Sequence, residues 1–414
     1  MLTVLSVKEA QRCILESLAH KRTGMENIPV AASLGRVLAE EIVALEMVPS
    51  FARSTMDGFA VRSADTFGAS ESMPALLNLA GHVLMGAAPP GNLQPGETMS
   101  IPTGGMLPGG SDSVVMVEYS ETFGNQVALY RPVAPFENTI RQGEDFQKGD
   151  MVLPAGCLIR AADVGILSAL GRLNLKVYAQ PRVNIFSTGD EIVAPGEEPK
   201  TGQIRDINGP VLCSQVEENG GVAQHRGIIA DEEEELQKAL LESMEDADLL
   251  IISGGSSVGT RDVAAKVIAA LPEGGVYFHG VSMRPGKPVI YGMSQGKPIF
   301  GLSGNPVSAM FSFILFVKPV LRILQGLSSF PDFNPYVEAY LDTNLSSPGG
   351  REDYIRVALY QEAAAEGKEG MIRAKPLFGG PGLLHTMVQA DGYFVIPRDV
   401  EGYPAGSKVK VYLF

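Results

Sequence analysis

The start of the chain shows apolar residues at helical spacing. Ser6 and Glu9 have the spacing of a capping box, and apolar residues follow them on one helical face. This pattern predicts a helix over residues 7–20. A second, short helix is predicted over residues 34–40.

Glycine and proline recur between residues 49 and 141, with short apolar runs between them. Because both residue types interrupt regular elements, this segment is predicted to be a β-rich module with many turns. The module is inserted into a helical N-terminal domain. A helix over residues 163–170, ended by Gly171, follows it.

From residue 183 onward, short apolar runs alternate with helical patterns. Strands are predicted at 183–186, 222–229, 249–252 and 298–302, and helices at 209–219, after Asp231, at 262–271 and at 307–324. This alternation predicts βαβ units and a parallel sheet. Beyond residue 328 the predicted elements are strands, at 336–341, 354–360, 392–397 and 407–413, which indicates a small terminal β-domain such as a barrel.

The composition narrows the class of protein. The 414 residues carry a net charge of −14, with 33 Lys plus Arg against 47 Asp plus Glu. This is the wrong sign for sequence-independent binding of nucleic acid, although a local cationic site can still hold a small anion. Three cysteines without metal or disulfide spacing, and no expected signal peptide, favour the cytoplasm. The most apolar window, 311–317, is too short to span a membrane.

Three predicted strands end in loops of small polar residues, at 187–191, 253–259 and 303–306. Ligands of a parallel α/β sheet bind outside the carboxyl ends of its strands, and the helix that follows each loop favours an anion at its N-terminus. Ordinary turns and caps also explain these residues. In the last loop Asn305 suits the N-cap and Pro306 the first helical position.

Three carboxylates, Glu191, Asp231 and Asp262, lie at or just after these strand ends. Mg²⁺ prefers oxygen ligands and phosphates, so the three are candidate Mg²⁺ ligands. The competing interpretation is a solvated first helical turn, which explains most of the acidic run 231–235.

Two cations, Arg284 and Lys287, lie on a stiff, proline-flanked loop in an otherwise acidic chain. The prolines reduce the entropy that the loop loses on binding a ligand. A surface turn with solvated charges is the alternative. Segments 53–58 and 102–105 are also polar, and turn chemistry explains both without a function.

Five motifs occur in order along the chain: STMDGFAV at 54–61, STGDE at 187–191, GGSSVG at 254–259, PGKP at 285–288 and GNPVS at 304–308. Together they resemble the MoeA, or gephyrin E-domain, family of molybdopterin molybdenumtransferases. The resemblance covers nearly the whole chain, and the ordered set is far more specific than any single motif.

The resemblance implies a multidomain α/β plus β fold. Its parts are a split helical domain (1–46 and 143–180), an inserted β-rich module (47–142), a three-layer α/β domain of the molybdopterin-binding type (181–327) and a C-terminal β-barrel (328–414). It further implies an elongated homodimer, with each active site between the α/β domain of one subunit and the β-module of the other. The implied substrates are adenylylated molybdopterin and molybdate. The products are AMP and molybdenum bound to the dithiolene, and Mg²⁺ is required.

The resemblance also implies residue roles. Asp57 and Thr103 approach the site from the partner subunit. Glu191, Asp231 and Asp262 serve Mg²⁺ and the phosphoanhydride, while Lys287, Arg284 and Arg356 hold molybdate. Pterin and phosphate are cradled by the strand-end loops, through Gly254, Gly255, Ser257, Ser303, Gly304, Asn305 and Pro306. An upstream adenylyltransferase is a candidate partner.

Two departures from the family pattern affect the oxyanion end of the implied site. Arg284 stands where many members have lysine, and a serine pair that many have near Pro381 and Gly382 is absent. Arginine is a planar fork rather than a point charge, and one hydroxyl contact is either missing or supplied by Thr386. Tungstate is therefore an alternative substrate. A non-catalytic molybdopterin-binding scaffold, and a different enzyme on the same α/β domain, are the competing classes.

Overall fold

The computed structural model describes residues 4–19, 21–254, 258–327, 335–362 and 370–414, without the side chains of 258–262. The chain forms two compact units. One comprises residues 1–26, 35–39 and 176–414, and the other comprises 27–34 and 40–175. The finer division into four domains stays a prediction.

The smaller unit is rich in short strands, as its turn-forming sequence predicts. Its main sheet has the order Ser113–Met116, Gly58–Val61, Glu97–Ile101, Ala75–His82, Gln126–Leu129 and Ser120–Phe123. One pair, Ala75–His82 with Glu97–Ile101, is parallel and the others are antiparallel. Two small antiparallel sheets pair Arg53–Ser54 with Thr139–Ile140 and Ile42–Val43 with Met151–Leu153.

Helices of this unit are short. The predicted helix before Gly171 is confirmed as Ala161–Ala169, and Gly171 follows it with a φ of +67°. Three single-turn helices accompany it, at Val30–Ala32, Ser63–Thr66 and Val117–Tyr119.

The N-terminal helix is Val7–Ser17, with both hydrogen bonds of the predicted capping box at Ser6 and Glu9. The predicted helix over residues 34–40 is wrong. Gly35 there has a φ of +75°, and Leu38 forms an antiparallel bridge with Val177 and is fully buried. A helix this short has little stability of its own, so burial in the bridge decides the conformation. Nearby, Met25–Pro29 pairs with Asn174–Tyr178.

The larger unit is built on a six-stranded sheet. Its order is Val222–Ile229, Arg182–Thr188, Leu249–Gly254, Lys297–Ser303, Ile290–Ser294 and Gly275–His279. The first four strands are parallel, as predicted, but the last two are antiparallel to their neighbours. Gln295 and Gly296 both have positive φ, and this two-residue turn joins Ile290–Ser294 and Lys297–Ser303 in an antiparallel hairpin, which the predicted parallel sheet did not include.

Helices cover both faces of this sheet, so the predicted three-layer arrangement is confirmed. Successive residues of a strand alternate between two cores: Ile185 and Ile251 enter one, while Phe186 and Ile252 enter the other. The first core is covered by Val7–Ser17, Asn208–Glu218 and the run Pro306–Ser312, Phe313–Val317 (a π-helix) and Lys318–Leu324. The second core is covered by Glu233–Ser243 and Val258–Ala270.

The helical run Pro306–Leu324 is 19 residues long with a mean hydropathy of 1.9, which is long and apolar enough to cross a membrane by length and composition alone. Of its most apolar 18-residue window, 67% is buried inside the molecule. The core of the α/β sheet therefore accounts for its apolar character.

The C-terminal region forms the predicted barrel. Its five strands close in the order Glu352–Gln361, Ile372–Pro376, Tyr336–Leu341, Lys408–Leu413, Gly392–Ile396 and back to Glu352–Gln361. Met283–Arg284 adds to the outside of Glu352–Gln361 in parallel. The remaining elements are the strand pairs Leu345–Ser346 with Gly402–Tyr403 and Ile192–Val193 with Ile204–Arg205, and the helix His385–Val388.

Phe300 tests the packing of the central sheet. Its side chain is fully buried, and its ring centroid lies 4.9 Å from that of Tyr291. We expect Phe300→Ala to destabilise this unit by about 3–5 kcal/mol, because the change leaves a large cavity. Thermal and denaturant unfolding would measure the loss. Val388→Ala, at a residue that is 80% exposed, is the control, and equal midpoint shifts in the two variants would contradict this core.

Candidate active site

Three parallel strands end side by side at one edge of the central sheet. Thr188 pairs with Gly254, and Gly254 pairs with Ser303. A Cβ atom on Gly254 would lie 2.1 Å from the carbonyl oxygen of Thr188, so only glycine fits there. The predicted strand-end edge is therefore present, whereas Gly255 and Ser257 lie outside the described residues.

Asn208, which the sequence analysis did not single out, ties two of these strand ends together. Its Nδ2 donates to Ser253 Oγ at 2.8 Å and to the carbonyl oxygen of Gly304 at 3.0 Å. Asn208 is only 7% exposed, so this amide is a fixed part of the loop that follows Lys297–Ser303. An asparagine at a helix start is typical of a cap, so the sequence carries no signal of this longer-range role.

The loop at Asn305 leads into the helix Pro306–Ser312, with Pro306 at the expected first position. Among the described residues, the Asn305 side chain makes no capping hydrogen bond; instead its backbone N–H donates to Ser303 Oγ at 3.3 Å. The Asn305 side chain therefore lines a cavity rather than serving as an ordinary cap.

A cluster of carboxylates lies beside the strand ends. The backbone N–H of Asp231 donates to Asp190 Oδ1 at 3.4 Å. Burial, followed by the negative charges of Asp190 and Glu191, raises the pKa of Asp231 above its usual value. Asp231 also lines a small cavity of about 20 Å³ with Thr188 and Gly254. The predicted proximity of Glu191 and Asp231 is thus observed.

The third expected ligand, Asp262, belongs to the helix Val258–Ala270, which begins one turn earlier than predicted. Its side chain lies outside the described residues, so its approach to Asp231 stays a prediction. Among described side chains, no group of three or more His, Cys, Asp or Glu is arranged to hold a metal. The oxygen donors and their mutual repulsion at Asp231 nevertheless fit a hard divalent cation, which would neutralise that repulsion.

A second, larger cavity of about 840 Å³, open to solvent, adjoins the first at Pro288 and Ser303, which line both. Four cationic side chains line it, and among its described lining residues Asp353 is the one carboxylate. The cations are the predicted Arg284, Lys287 and Arg356 together with Arg351, which the sequence analysis missed.

The loop carrying Arg284 and Lys287 is held closely against the helix Pro306–Ser312. Gly286 has a φ of +98°, and a Cβ there would lie 2.9 Å from Ser312 Oγ. Only glycine allows this backbone and this approach. The Lys287 carbonyl accepts a hydrogen bond from the backbone of Val281 at 2.9 Å, while its side chain stays exposed in the cavity wall.

Arg356 is the buried cation of this cavity, with only 8% of its surface exposed. Its Nη1 donates to Thr386 Oγ1 at 2.9 Å and its Nη2 to the carbonyl oxygen of Gly379 at 3.1 Å. Its Nε has no hydrogen-bond partner among the described residues. Burial, and then the charge of Arg284, lower the pKa of Arg356, although an arginine stays cationic.

Thr386 does not replace the missing serine as a free hydroxyl. Its Oγ1 donates to the carbonyl oxygen of Leu383 at 2.8 Å while it accepts from Arg356. Since a hydroxyl has one proton, none remains for an oxyanion. Thr386 therefore orients Arg356.

In the smaller unit, Asp57 and Thr103 lie together. Asp57 Oδ1 accepts from the backbone N–H of Thr103 at 2.7 Å and from its hydroxyl at 3.0 Å. These hydrogen bonds, the backbone one first, lower the pKa of Asp57. The pair is exposed, which suits a role toward another molecule better than a role in the core.

Comparison with known families and proteins agrees with this geometry. Models of the MoeA N-terminal region (domain I and II), of a probable molybdopterin binding domain and of the MoeA C-terminal region (domain IV) match residues 5–171, 184–323 and 338–414. A putative molybdopterin biosynthesis protein of Methanocaldococcus jannaschii is 34% identical, over 99% of this chain and 98% of its own length. The chain belongs to the MoeA family.

Other MoeA relatives show the same extent of likeness. Molybdopterin molybdenumtransferase 2 of Mycobacterium tuberculosis is 34% identical, over 98% of this chain and 99% of its own. The crystal structure of a molybdopterin biosynthesis MoeA protein from Pyrococcus horikoshii OT3 superposes with a TM-score of 0.83, at 31% identity and with both chains fully covered. The MoeA fold of this chain, including the barrel, is thus shared over its full length.

Asp231 generates a pH-dependent prediction for this MoeA protein. Its raised pKa favours the neutral acid in the folded state, so the stability that it contributes is present at acid pH and is lost as pH rises through the folded pKa. We expect Asp231→Asn to raise Tm at about pH 7, and to raise it less at about pH 4, where the wild-type carboxyl group is more fully protonated.

Thermal unfolding at both pH values would measure the effect. Glu235→Gln removes an exposed carboxylate from the same acidic run and is the control for loss of charge. An equal or lower Tm for Asp231→Asn at neutral pH would show that the site does not strain this carboxylate.

Proposed function

We propose that this protein is a molybdopterin molybdenumtransferase of molybdenum cofactor biosynthesis, which inserts molybdate into adenylylated molybdopterin and releases AMP. The observation that carries the proposal is the cationic cavity of Arg284, Lys287 and Arg356 adjoining the strand-end edge. Relatives that match over nearly their whole length carry this enzyme name. The cytoplasm is the proposed location.

The oxyanion end of the reaction belongs to the larger cavity. Arg356 presents a guanidinium that is already desolvated and oriented by Thr386 and Gly379, so little reorganisation is needed when a dianion arrives. Lys287 and Arg284, which are more exposed, supply further positive charge. Holding the oxyanion beside the dithiolene makes the insertion effectively intramolecular.

The phosphoanhydride end belongs to the smaller cavity. Glu191, Asp231 and Asp262 would hold Mg²⁺ there, and the bound ion would neutralise charge on the departing AMP. The strand-end loops, including Gly254, Ser303 and Gly304, would face the pterin and the phosphate with backbone N–H groups. Because Ser303 and Pro288 line both cavities, one elongated anionic substrate can contact both at once.

Asp57 and Thr103 are proposed to complete the site of a partner subunit in a homodimer. Their mutual hydrogen bonds keep the carboxylate ionised and fixed, as a residue that orients a substrate from outside requires. An upstream adenylyltransferase that delivers the adenylylated pterin is the proposed further partner.

Tungstate is a second candidate substrate, favoured by two observations. Arg284 replaces a lysine at the cavity wall, and Thr386 offers no free hydroxyl proton where a serine pair is missing. An oxyanion here is thus recognised by guanidinium forks more than by hydroxyls.

The reaction itself tests the proposed function. Purified protein, supplied with adenylylated molybdopterin and Mg²⁺, should release AMP only when molybdate or tungstate is added. We expect Lys287→Ala to lower the rate by about a hundredfold, because it removes a cation aimed at the reacting anion. Lys238→Ala, at an exposed lysine that lines neither cavity, is the matched control.

The result decides between classes of protein. AMP release that does not depend on the oxyanion would sink the transferase proposal, and pterin binding without turnover would favour a scaffold. AMP release by Asp262→Asn at the wild-type rate would remove Asp262 from the proposed Mg²⁺ ligands.

The proposed sharing of sites between subunits has its own test. Asp57→Asn and Lys287→Ala should each abolish most activity alone. Mixed dimers would carry one site with both changes and one intact site, so random mixing should restore about a quarter of wild-type activity. No recovery after verified subunit exchange would place all of these residues in one subunit's site.

A further inference from the structure

Asp353 is a buried carboxylate in the wall of the cationic cavity. Only 2% of the residue is exposed. Its Oδ2 accepts from Ser347 Oγ at 2.9 Å, and its Oδ1 accepts from Arg351 Nε at 3.1 Å. A buried carboxylate is costly unless its oxygens accept hydrogen bonds, and here both do: one from the buried Ser347 and one from Arg351, which lines the cavity.

The same carboxylate faces Arg284. Arg284 and Asp353 are direct partners in the parallel pairing of Met283–Arg284 with Glu352–Gln361, and Arg284 Nη1 lies 4.0 Å from Asp353 Oδ2. The register of this strand pairing therefore places Asp353 beside Arg284. The pairing is reinforced by the backbone N–H of Glu352, which donates to the carbonyl oxygen of Ser282 at 3.0 Å.

Among the described residues, the Arg351 side chain has one hydrogen-bond partner, Asp353. Its Nε bonds to Asp353, and its side chain is 34% exposed, so its terminal nitrogens remain available at the cavity wall. This leaves four cations and one carboxylate among the described lining residues, a local charge of +3 from +4 and −1. Such a surplus suits an anion of charge −2 or more.

We propose that Asp353 is a positioning residue that fixes Arg351 and Arg284 toward the cavity, and that Arg351 is a further oxyanion-binding cation of this site. The inference deepens the proposed function and rests on its assignment of the oxyanion to this cavity. It identifies the ligand as a tetrahedral oxyanion held by several guanidinium forks.

The change in anion affinity on Asp353→Asn has opposite signs for a positioning role and for a role of Asp353 as a negative charge alone. If Asp353 acts only through its negative charge, Asp353→Asn makes the cavity more positive and strengthens anion binding. If Asp353 acts by positioning, the same change releases Arg351 and Arg284 and weakens binding, although the net positive charge has increased. Asparagine has nearly the same size as aspartate and keeps one oxygen acceptor, so this substitution disturbs the packing around residue 353 very little.

Calorimetric titration of the full-length protein with sodium tungstate, and in parallel with sodium molybdate, would decide. We expect Asp353→Asn to weaken Kd by about tenfold, since the guanidinium-to-anion bonds that lose their alignment are charge-assisted. Arg351→Lys, which keeps the charge but loses the Nε bond to Asp353, should weaken Kd in the same direction.

Asp342→Asn is the matched control. Asp342 is also paired with an arginine on the same barrel, since its Oδ1 lies 3.1 Å from Arg373 Nε, but it lines neither cavity. We expect its Kd to equal that of the wild type. Circular dichroism and Tm of each variant would separate lost binding from lost fold, and Arg351→Lys serves if Asp353→Asn does not fold.

Tighter or unchanged tungstate binding by folded Asp353→Asn, or an unchanged Kd in Arg351→Lys, would overturn the inference. Because the titration needs no turnover, it is independent of the AMP assay. A wild type that binds tungstate through these residues but releases no AMP would refute the transferase and leave the inference standing. Normal AMP release by the wild type, with unaltered tungstate binding in both variants, would support the transferase and refute the inference about Asp353 and Arg351.

Discussion

The site depends on the register of three parallel strands. Hydrogen bonding sets Thr188 beside Gly254 and Gly254 beside Ser303, so that three loops leave the sheet at one edge. A slip of one residue would exchange the two cores that cover the faces of the sheet, and the buried side chains on both faces oppose it. The buried amide of Asn208 then fixes two of these ends to each other. The sheet fixes the positions of the loop residues at this edge, so they can contact a ligand while they remain exposed to solvent.

The sequence predicted those helices and strands whose buried side chains recur at a regular spacing along the chain. The strand Leu249–Gly254 and the helix Asn208–Glu218 lie within two residues of expectation, since a buried strand or an amphipathic helix leaves a clear pattern. The segment 34–40 misled because its few apolar residues are buried by a bridge at Leu38 rather than along a helix face. The hairpin at Gln295 and Gly296 escaped because a two-residue turn with positive φ has a weak signal without asparagine or aspartate.

The candidate site was predictable where it follows from sheet geometry and unpredictable where it follows from pairing across the barrel. Strand-end residues such as Gly254 and Ser303 are near each other in any parallel sheet of this order. The meeting of Arg284 with Asp353 arises from a short parallel pairing between segments far apart in sequence. Likewise, the sequence offers Thr386 as a substitute hydroxyl, whereas its hydrogen bonds in the fold use its one proton on Leu383.

Negative charges at the strand ends and positive charges in the adjoining cavity lie a short distance apart at this edge, so the electrostatic potential changes sign across the site. The chain as a whole carries −14, which repels dianions from most of its surface. Burial, and then the negative charges of Asp190 and Glu191, raise the pKa of Asp231 in the strand-end cluster that these three residues form. Across Ser303 and Pro288, the adjoining cavity carries a surplus of positive charge. An anion is therefore attracted to the cavity side and a cation to the carboxylate side, so the field of these described charges distinguishes the two sides of the edge before any specific contact forms.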